Sequence, residues 1–452
     1  MAPSRSTGDD RAENEQLTRA IGLPQATAMV VGIIIGASIF VQPSEVTASL
    51  GSVAGIFLAW LASGVLTLFG ALVCAELASV FPNSGGVYVF LREAFGRPLA
   101  FLWGWAMFWT MHSGIIAAIA MGFARYLGEL TPLSAFSQRA AAIAVIVVLS
   151  AINMIGVREG SMLQTAFTAA KLLAIVAIIA VGFALGGKNP DAALAVEPFG
   201  DLSGVSLHDF GLAMVAGLFA FGGWHMVTYA AGETLDPRRT IPRALVFGTL
   251  IVTACYIALN AVYLYVLPLD AVAKSQAIAA DAATAVVGQW GGRAMAVLVM
   301  VSTFGAVAGV ILTGPRVYYA MAHDGVIFRR LGDVHPRWRT PTRVIAAQAV
   351  WASVLVLTGT YRDVFRRVVY TEWIFFGLMA IGLILLRRRT DLTRAYSVWG
   401  YPLVPLVFAA ASFAIVVNEV VSNPQSSLIG LSFVIVGLPV YYLWTYLARP
   451  IG

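Results

Sequence analysis

The sequence predicts an all-α membrane protein of twelve transmembrane helices in which spans one and six are broken. Three observations carry that reading. Of the 452 residues, 59% are hydrophobic and only 12% charged, whereas a soluble domain carries about 25% charged residues. The apolar residues gather into twelve runs of roughly the 20 residues that cross a bilayer. Two of those runs are interrupted by small residues where a simple span would be uniformly bulky.

Taken in order, residues 1–19 carry seven charges and no apolar core, so a cytoplasmic tail is expected there and not a signal peptide. The apolar runs follow at about 23–43, 53–77, 98–121, 140–157, 164–186, 209–230, 244–267, 294–314, 342–360, 369–386, 402–419 and 427–447. Residues 20–390 are read as a ten-helix core. Residues 391–452 are read as peripheral helices eleven and twelve with a short tail. The linkers 187–208 and 315–341 are too short to bury a core of their own; Asp324-Gly325 marks a turn in the second, and a short amphipathic helix is expected among its apolar residues.

With the N-terminus inside, cytoplasmic segments hold 20 of the 29 basic residues, including Arg329, Arg330, Arg337, Arg339 and Arg387–Arg389. That asymmetry places both termini in the cytoplasm. Arg362, Arg366 and Arg367 then lie on the wrong side, which points to a misplaced boundary or a re-entrant element. Cys74 and Cys255 sit in apolar runs and imply no disulfide framework. The scattered basic residues form no nucleic-acid stripe.

Span one reads VVGIIIGASIFVQP, with Gly32, Gly36, Ala37 and Ser38 near its middle. Span six repeats the feature at Gly222-Gly223, flanked by Phe219, Phe221, Trp224 and His225. A close helix crossing explains either glycine set alone. Paired interruptions at the start of each half match an inverted repeat whose broken helices line a central site. Backbone amides and carbonyls freed at such breaks need polar partners. Half-helix amides attract a carboxylate and exposed carbonyls accept from an ammonium, so a zwitterion suits both.

Lys171 lies well inside span five, and an intramembrane cation is costly unless it is paired or faces a polar cavity. Glu76, Glu372 and Glu419 are placed nearer span ends and weigh less. His112 and His225 can titrate or only hydrogen-bond, and no metal-ligand spacing is present. Phosphate-binding loops, nucleophile elbows and zinc sets are missing; no enzyme chemistry, cofactor or metal is expected.

From GIIIGASIFVQP (32–43) through FPNSGGVYVFLREAFG (81–96), INMIGV (152–157), TAAKLLA (168–174), GLFAFGGW (217–224), GETLDPRRTIPRA (232–244), RVYYAMAHDG (316–325) and WGYPLVP (399–405), the chain resembles the amino acid–polyamine–organocation transporter superfamily. It is most similar to the L-type amino-acid transporter branch and its bacterial relatives, over about residues 20–448. The resemblance implies a five-plus-five inverted repeat. It also implies substrate carboxylate binding at Gly36, Ala37, Ser38 and Ile39, and amino-group binding at carbonyls around Ile34, Ile35 and Phe219–Phe221, a stretch that includes Ala220. Gly222 marks the second break. Phe219 matches a substrate-covering aromatic and Trp224 a pocket aromatic. Lys171 matches the lysine that stands where sodium-coupled relatives hold an ion.

Family members usually read Gly-Ser-Gly-Ile-Phe where this chain has Gly36-Ala37-Ser38-Ile39-Phe40; His225 replaces a frequent asparagine and Ala308 a polar residue. These departures leave the side-chain class open. Residues 122–139 lack the cysteine that joins an accessory glycoprotein, so none is expected as a partner. The expectation is a sodium-independent permease for L-amino acids, neutral ones first, in a bacterial inner membrane, working either as an exchanger (antiporter) or as a proton-coupled carrier. Cationic amino acids or polyamines are the alternative, followed by a channel or an amino-acid sensor.

Overall fold

The computed structural model describes residue 19 and residues 21–36, 38–155, 160–186, 191–196, 202, 204–333, 335, 338 and 340–447. The charged tail before residue 19, Ala37 and the last residues of INMIGV lie outside them. Among the described residues all extended secondary structure is helical, apart from one parallel bridge between Ile21 and Thr234.

Among the described residues eleven helices are long and apolar enough to cross a membrane. Span one is Leu23–Phe40, two Val53–Val80, three Arg97–Gly128, four Ala135–Ile155, five Phe167–Leu185 and six Leu207–Glu233. Seven is Pro237–Val266, eight Gln289–His323, ten Tyr361–Leu386, eleven Leu403–Ser422 and twelve Ser427–Leu447. The ninth apolar run forms Thr342–Thr358, a helix of 17 residues that falls just short of that length. Local chemistry sets several ends: Gly51 ends the helix Gln42–Leu50 at φ 58°, a left-handed conformation costly for other residues, and Ser52 caps span two by accepting from the Gly55 N–H.

Span ten corrects the sequence reading. It begins at Tyr361, eight residues before its apolar run, because Thr360 and Asp363 form a reciprocal capping box. Arg362, Arg366 and Arg367 are therefore on a helix and not in a linker. Arg362 pairs in bidentate fashion with Glu45, at 2.9 Å from both nitrogens. The earlier start also moves Glu372 from a span end to the middle of the helix. Short helices also lie outside the twelve runs read from the sequence, among them Val87–Phe95, Leu269–Lys274 and the apolar Ile278–Val287, each too short to cross a membrane. The turn at Asp324-Gly325 is present, with Gly325 at φ 72°, and follows the helix Pro315–His323.

The bundle has a centre and a rim. In their apolar stretches of 18 residues, spans one, three, six and ten are 71%, 78%, 78% and 72% buried, whereas four, five and twelve are 28%, 22% and 22%. Rim helices present apolar side chains outward, such as Leu173 and Ile435, as a lipid-facing surface requires.

Candidate functional site at the two helix breaks

Span one is helical through Ile34, bends at Ile35 and Gly36, and resumes as a 3-10 turn over Ser38–Phe40. Span six is helical through Ala220, turns over Phe221–Gly223 and continues as the 3-10 helix Trp224–Glu233. Gly223 takes φ 92°, a conformation that favours glycine. A Cβ there would also strike Ile33 of span one. The Ile21 N–H donates to Glu233 O at 3.0 Å and the Leu235 N–H to Ile21 O at 2.9 Å. The start of span one is thereby tied to the end of span six, so the two spans run antiparallel and their breaks lie side by side.

The carbonyls freed by the first break are taken by side chains from elsewhere. Lys171 Nζ donates to Gly32 O and Ile35 O, each at 3.1 Å, and the residue is only 5% exposed. Its ammonium does at this break what two missing backbone amides would do in a continuous helix. Tyr256, from span seven, donates to Ile34 O at 3.0 Å and to Ala220 O at 2.9 Å. One hydroxyl thus links both breaks. A phenol has one proton to give, so the two carbonyls share it. Tyr126 closes the far side by donating to Phe40 O at 2.5 Å.

Rings dominate the second break. Phe219 packs against Phe365 at 5.3 Å and Tyr361 at 6.4 Å, both on span ten. Tyr361 also accepts from Gln42 Nε2 at 3.1 Å and lies 4.4 Å beneath the Arg125 guanidinium. Trp224 and His225 pack against Phe376 at 5.1 and 4.9 Å. Phe221 turns away, toward Trp60 and Tyr256. Among the described residues neither buried ring nitrogen of His225 has a hydrogen-bond partner.

The structure thus gathers Ile34, Ile35, Gly36, Ser38, Ile39, Phe219, Ala220, Gly222, Trp224, His225 and Lys171 around the paired breaks, with Phe221 at the edge. Tyr256 was not anticipated, since an isolated tyrosine in an apolar span has no local signature. Its helix did hold a clue: Tyr256, Asn260 and Tyr263, spaced by four and three, form a polar stripe, and all three are buried.

Ion pairs close the bundle beyond the breaks. Arg316 holds Glu233 in bidentate fashion at 2.8 and 2.9 Å, and Arg92 holds Asp324 at 2.6 Å. Glu76, fully buried, accepts from Arg387 at 2.8 Å and from the Val398 N–H at 2.7 Å.

Apolar helices of this number define a multi-pass integral membrane protein. The profile of the Amino acid permease family matches residues 21–446, and the chain belongs to that family, whose members are transporters and not enzymes. It is 33% identical to the serine/threonine exchanger SteT of Bacillus subtilis (strain 168), over 95% of this chain and 98% of the relative. Identity to the b(0,+)-type amino acid transporter 1 of Oryctolagus cuniculus is 31%, over 98% and 91%. Identity to the large neutral amino acids transporter small subunit 2 of Homo sapiens is 31%, over 95% and 81%.

Proposed function

We propose that the protein is a sodium-independent secondary carrier of neutral L-amino acids that works by alternating access. In this reading the ninth helix also spans the membrane, residues 20–390 form a five-plus-five inverted repeat with spans eleven and twelve at its edge, and both termini face the cytoplasm of a bacterial cell. The observation that carries it is the pair of adjacent, antiparallel breaks whose carbonyls are bridged by Tyr256. Family membership and the amino-acid transport activities of the relatives support amino acids as cargo.

The zwitterion fits the backbone chemistry. The amides at Gly36–Ile39 receive the carboxylate at the start of the resumed helix. The ammonium accepts the role that one phenol proton fills incompletely, donating to Ile34 O or Ala220 O. Phe219 covers the site from the side of span ten, and Trp224 and His225 border the side-chain end. Lys171 fixes the first break and occupies with positive charge the region where a sodium ion would be stabilised. The carrier acts without an accessory glycoprotein.

The test is counterflow in proteoliposomes loaded with unlabelled amino acid, across neutral, cationic and acidic L-amino acids. Accumulation of labelled neutral amino acids without sodium is the expected result. Absence of counterflow for every amino acid, or preference for cationic ones, overturns the carrier or the neutral assignment respectively.

A further inference from the structure

Span ten carries a buried acid that the reading above leaves unused. Glu372 is the twelfth residue of the helix Tyr361–Leu386, about 16 Å along it at 1.5 Å per residue, and it is 5% exposed. Phe365, Glu372 and Phe376, seven and four residues apart, share one helical face. Phe365 meets Phe219 at 5.3 Å, and Phe376 meets His225 at 4.9 Å and Trp224 at 5.1 Å. Glu372 therefore stands on the face of span ten that covers the second break, between the ring over the site and the rings below it.

Among the described residues its carboxyl has no hydrogen bond and no ion pair. No cation of the neighbourhood is paired with it. Arg366 donates to Asn423, the residue that ends span eleven, and Arg367, whose Nε has no hydrogen-bond partner among the described residues, lies by Tyr370 on another face of the helix, five residues before Glu372. Arg92 of the helix Val87–Phe95 is held by Asp324 and Glu93, and Arg387 by Glu76 at the end of span two. Other titratable groups on packed elements include Tyr229 and His225 on span six, His112 on span three, Cys74 on span two, Tyr88 beside Arg92, which is bonded to Asp324, Tyr441 on span twelve, and Glu419 on span eleven, which accepts from Asn423; Arg125 of span three lies over the Tyr361 ring, eleven residues before Glu372. None is a cation in position to pair. A second polar group without a partner, the His225 ring, is fully buried on the same side.

An unpaired carboxylate in the middle of a bilayer is strongly disfavoured, and intramembrane acids of this kind mark ion or proton pathways. We propose that Glu372 is a proton-binding site in the transport pathway, so that the loaded carrier crosses with its carboxyl protonated and each amino acid travels with one proton. On the open side the carboxylate takes a proton from hydronium, forming an O–H bond and releasing water; on the other side it returns that proton to water. Bound amino acid displaces water from the pathway and leaves only the neutral form of Glu372 tolerable. The empty pathway fills with water, which hydrates the carboxylate and lets the carrier return without the proton.

This inference rests on the carrier reading, and the experiment separates the two. The full-length protein in proteoliposomes is first assayed for counterflow of labelled L-alanine, L-serine, L-leucine and L-arginine at equal pH on both sides. Uptake into vesicles lacking amino acid is then measured with pyranine trapped in the lumen, at equal pH and with the outside about two units more acidic, a step that changes the population of a titrating group by up to ~100-fold. The expected result is uptake roughly fivefold faster with acid outside, together with amino-acid-dependent acidification of the lumen. In Glu372→Gln the ratio of uptake with and without the gradient falls to one, and Glu372→Asp, which keeps the carboxyl, retains a ratio above one. Counterflow in the native protein with uptake indifferent to the gradient overturns the proton site and leaves the carrier reading standing. An undiminished gradient ratio in Glu372→Gln does the same. Should the glutamine variant fail to fold, the native pyranine trace and the aspartate variant decide the matter. Loss of counterflow for all four amino acids in the native protein overturns the carrier reading and this inference with it.

Discussion

The break in span one is held by charge and hydroxyl groups, whereas the break in span six is held by rings. Both are similar interruptions of an apolar helix, yet Lys171 and Tyr256 serve three carbonyls at the first, while Phe219, Trp224 and His225 crowd the second with one borrowed hydroxyl bond to Ala220 O. The difference teaches that the first break is locked to the rim, because Lys171 stands on peripheral span five. The second is locked to span ten, a central helix, through packing that has little directional preference. A hydrogen-bonded lock has discrete states, and a packed aromatic lock can slide.

The largest effect is expected from Lys171→Ala. It leaves Gly32 O and Ile35 O buried without their donor, at about 1–3 kcal/mol for each unsatisfied group, and frees span one from span five. Initial counterflow should fall by more than about tenfold. Lys171→Arg should fail similarly, because a planar fork cannot take the place of a compact ammonium between two carbonyls. Undiminished exchange in either variant would show that the first break does not depend on this contact.

Tyr256→Phe sharpens the comparison, because it removes only the oxygen that touches both breaks. The ring contacts with Phe221 and Trp60 remain at 4.9 and 5.7 Å. Losing the shared bond should cost about 1–2 kcal/mol, or roughly tenfold in apparent affinity. A titration of initial uptake against amino-acid concentration measures it. Unchanged affinity would mean that the bridge is structural.

At the ring-held break the expected effects are smaller and of another kind. Phe219→Ala removes the contact with Phe365 and opens the site to span ten. Transport should drop several-fold while the purified protein melts within a few degrees of the native one. Trp224→Ala enlarges the space beside Phe376 and should re-rank substrates by about 1 kcal/mol, or five-fold, more than it slows them. Native rate and ranking in both variants would assign these rings to packing alone.

Much of this arrangement was legible in the sequence, because apolar runs and paired glycines report directly on spans and their interruptions. Lys171 was legible too, since a cation deep in an apolar run demands a partner, and the structure supplies Gly32 O and Ile35 O. Tyr256 was hidden because its partners are backbone atoms 222 and 36 residues away, and carbonyls carry no sequence identity. The start of span ten was hidden for a different reason. Three arginines masked a helix that begins in polar surroundings, with a capping box and an ion pair to Glu45, and that error placed Glu372 near an end. Charge marks a span boundary only when it lies beyond the helix, and Arg362, 55% exposed, already stands in the first turn, where it pairs with Glu45.

The smallest effect, and the one that most directly tests the charge-held break, is that of sodium. With Lys171 Nζ 3.1 Å from both Gly32 O and Ile35 O, the carbonyls that a sodium ion would seek already have a cationic donor. A second cation would meet repulsion that the poorly hydrated interior screens only weakly. Replacing sodium by choline on both sides of proteoliposomes at fixed pH and ionic strength should change initial uptake by less than about twofold. In Lys171→Ala the same carbonyls lose their donor, and among the described residues no bond to a carboxylate is recorded for Lys171 or for these carbonyls, so an oxygen site for a hard cation is incomplete and sodium should not rescue that variant. Sodium-stimulated uptake by the native protein would mean that the lysine does not fill an ion's place. Rescue of Lys171→Ala by sodium would mean the opposite: that the ammonium and a sodium ion are interchangeable at the first break, and that the lock on span one requires positive charge but not a covalent tether to span five.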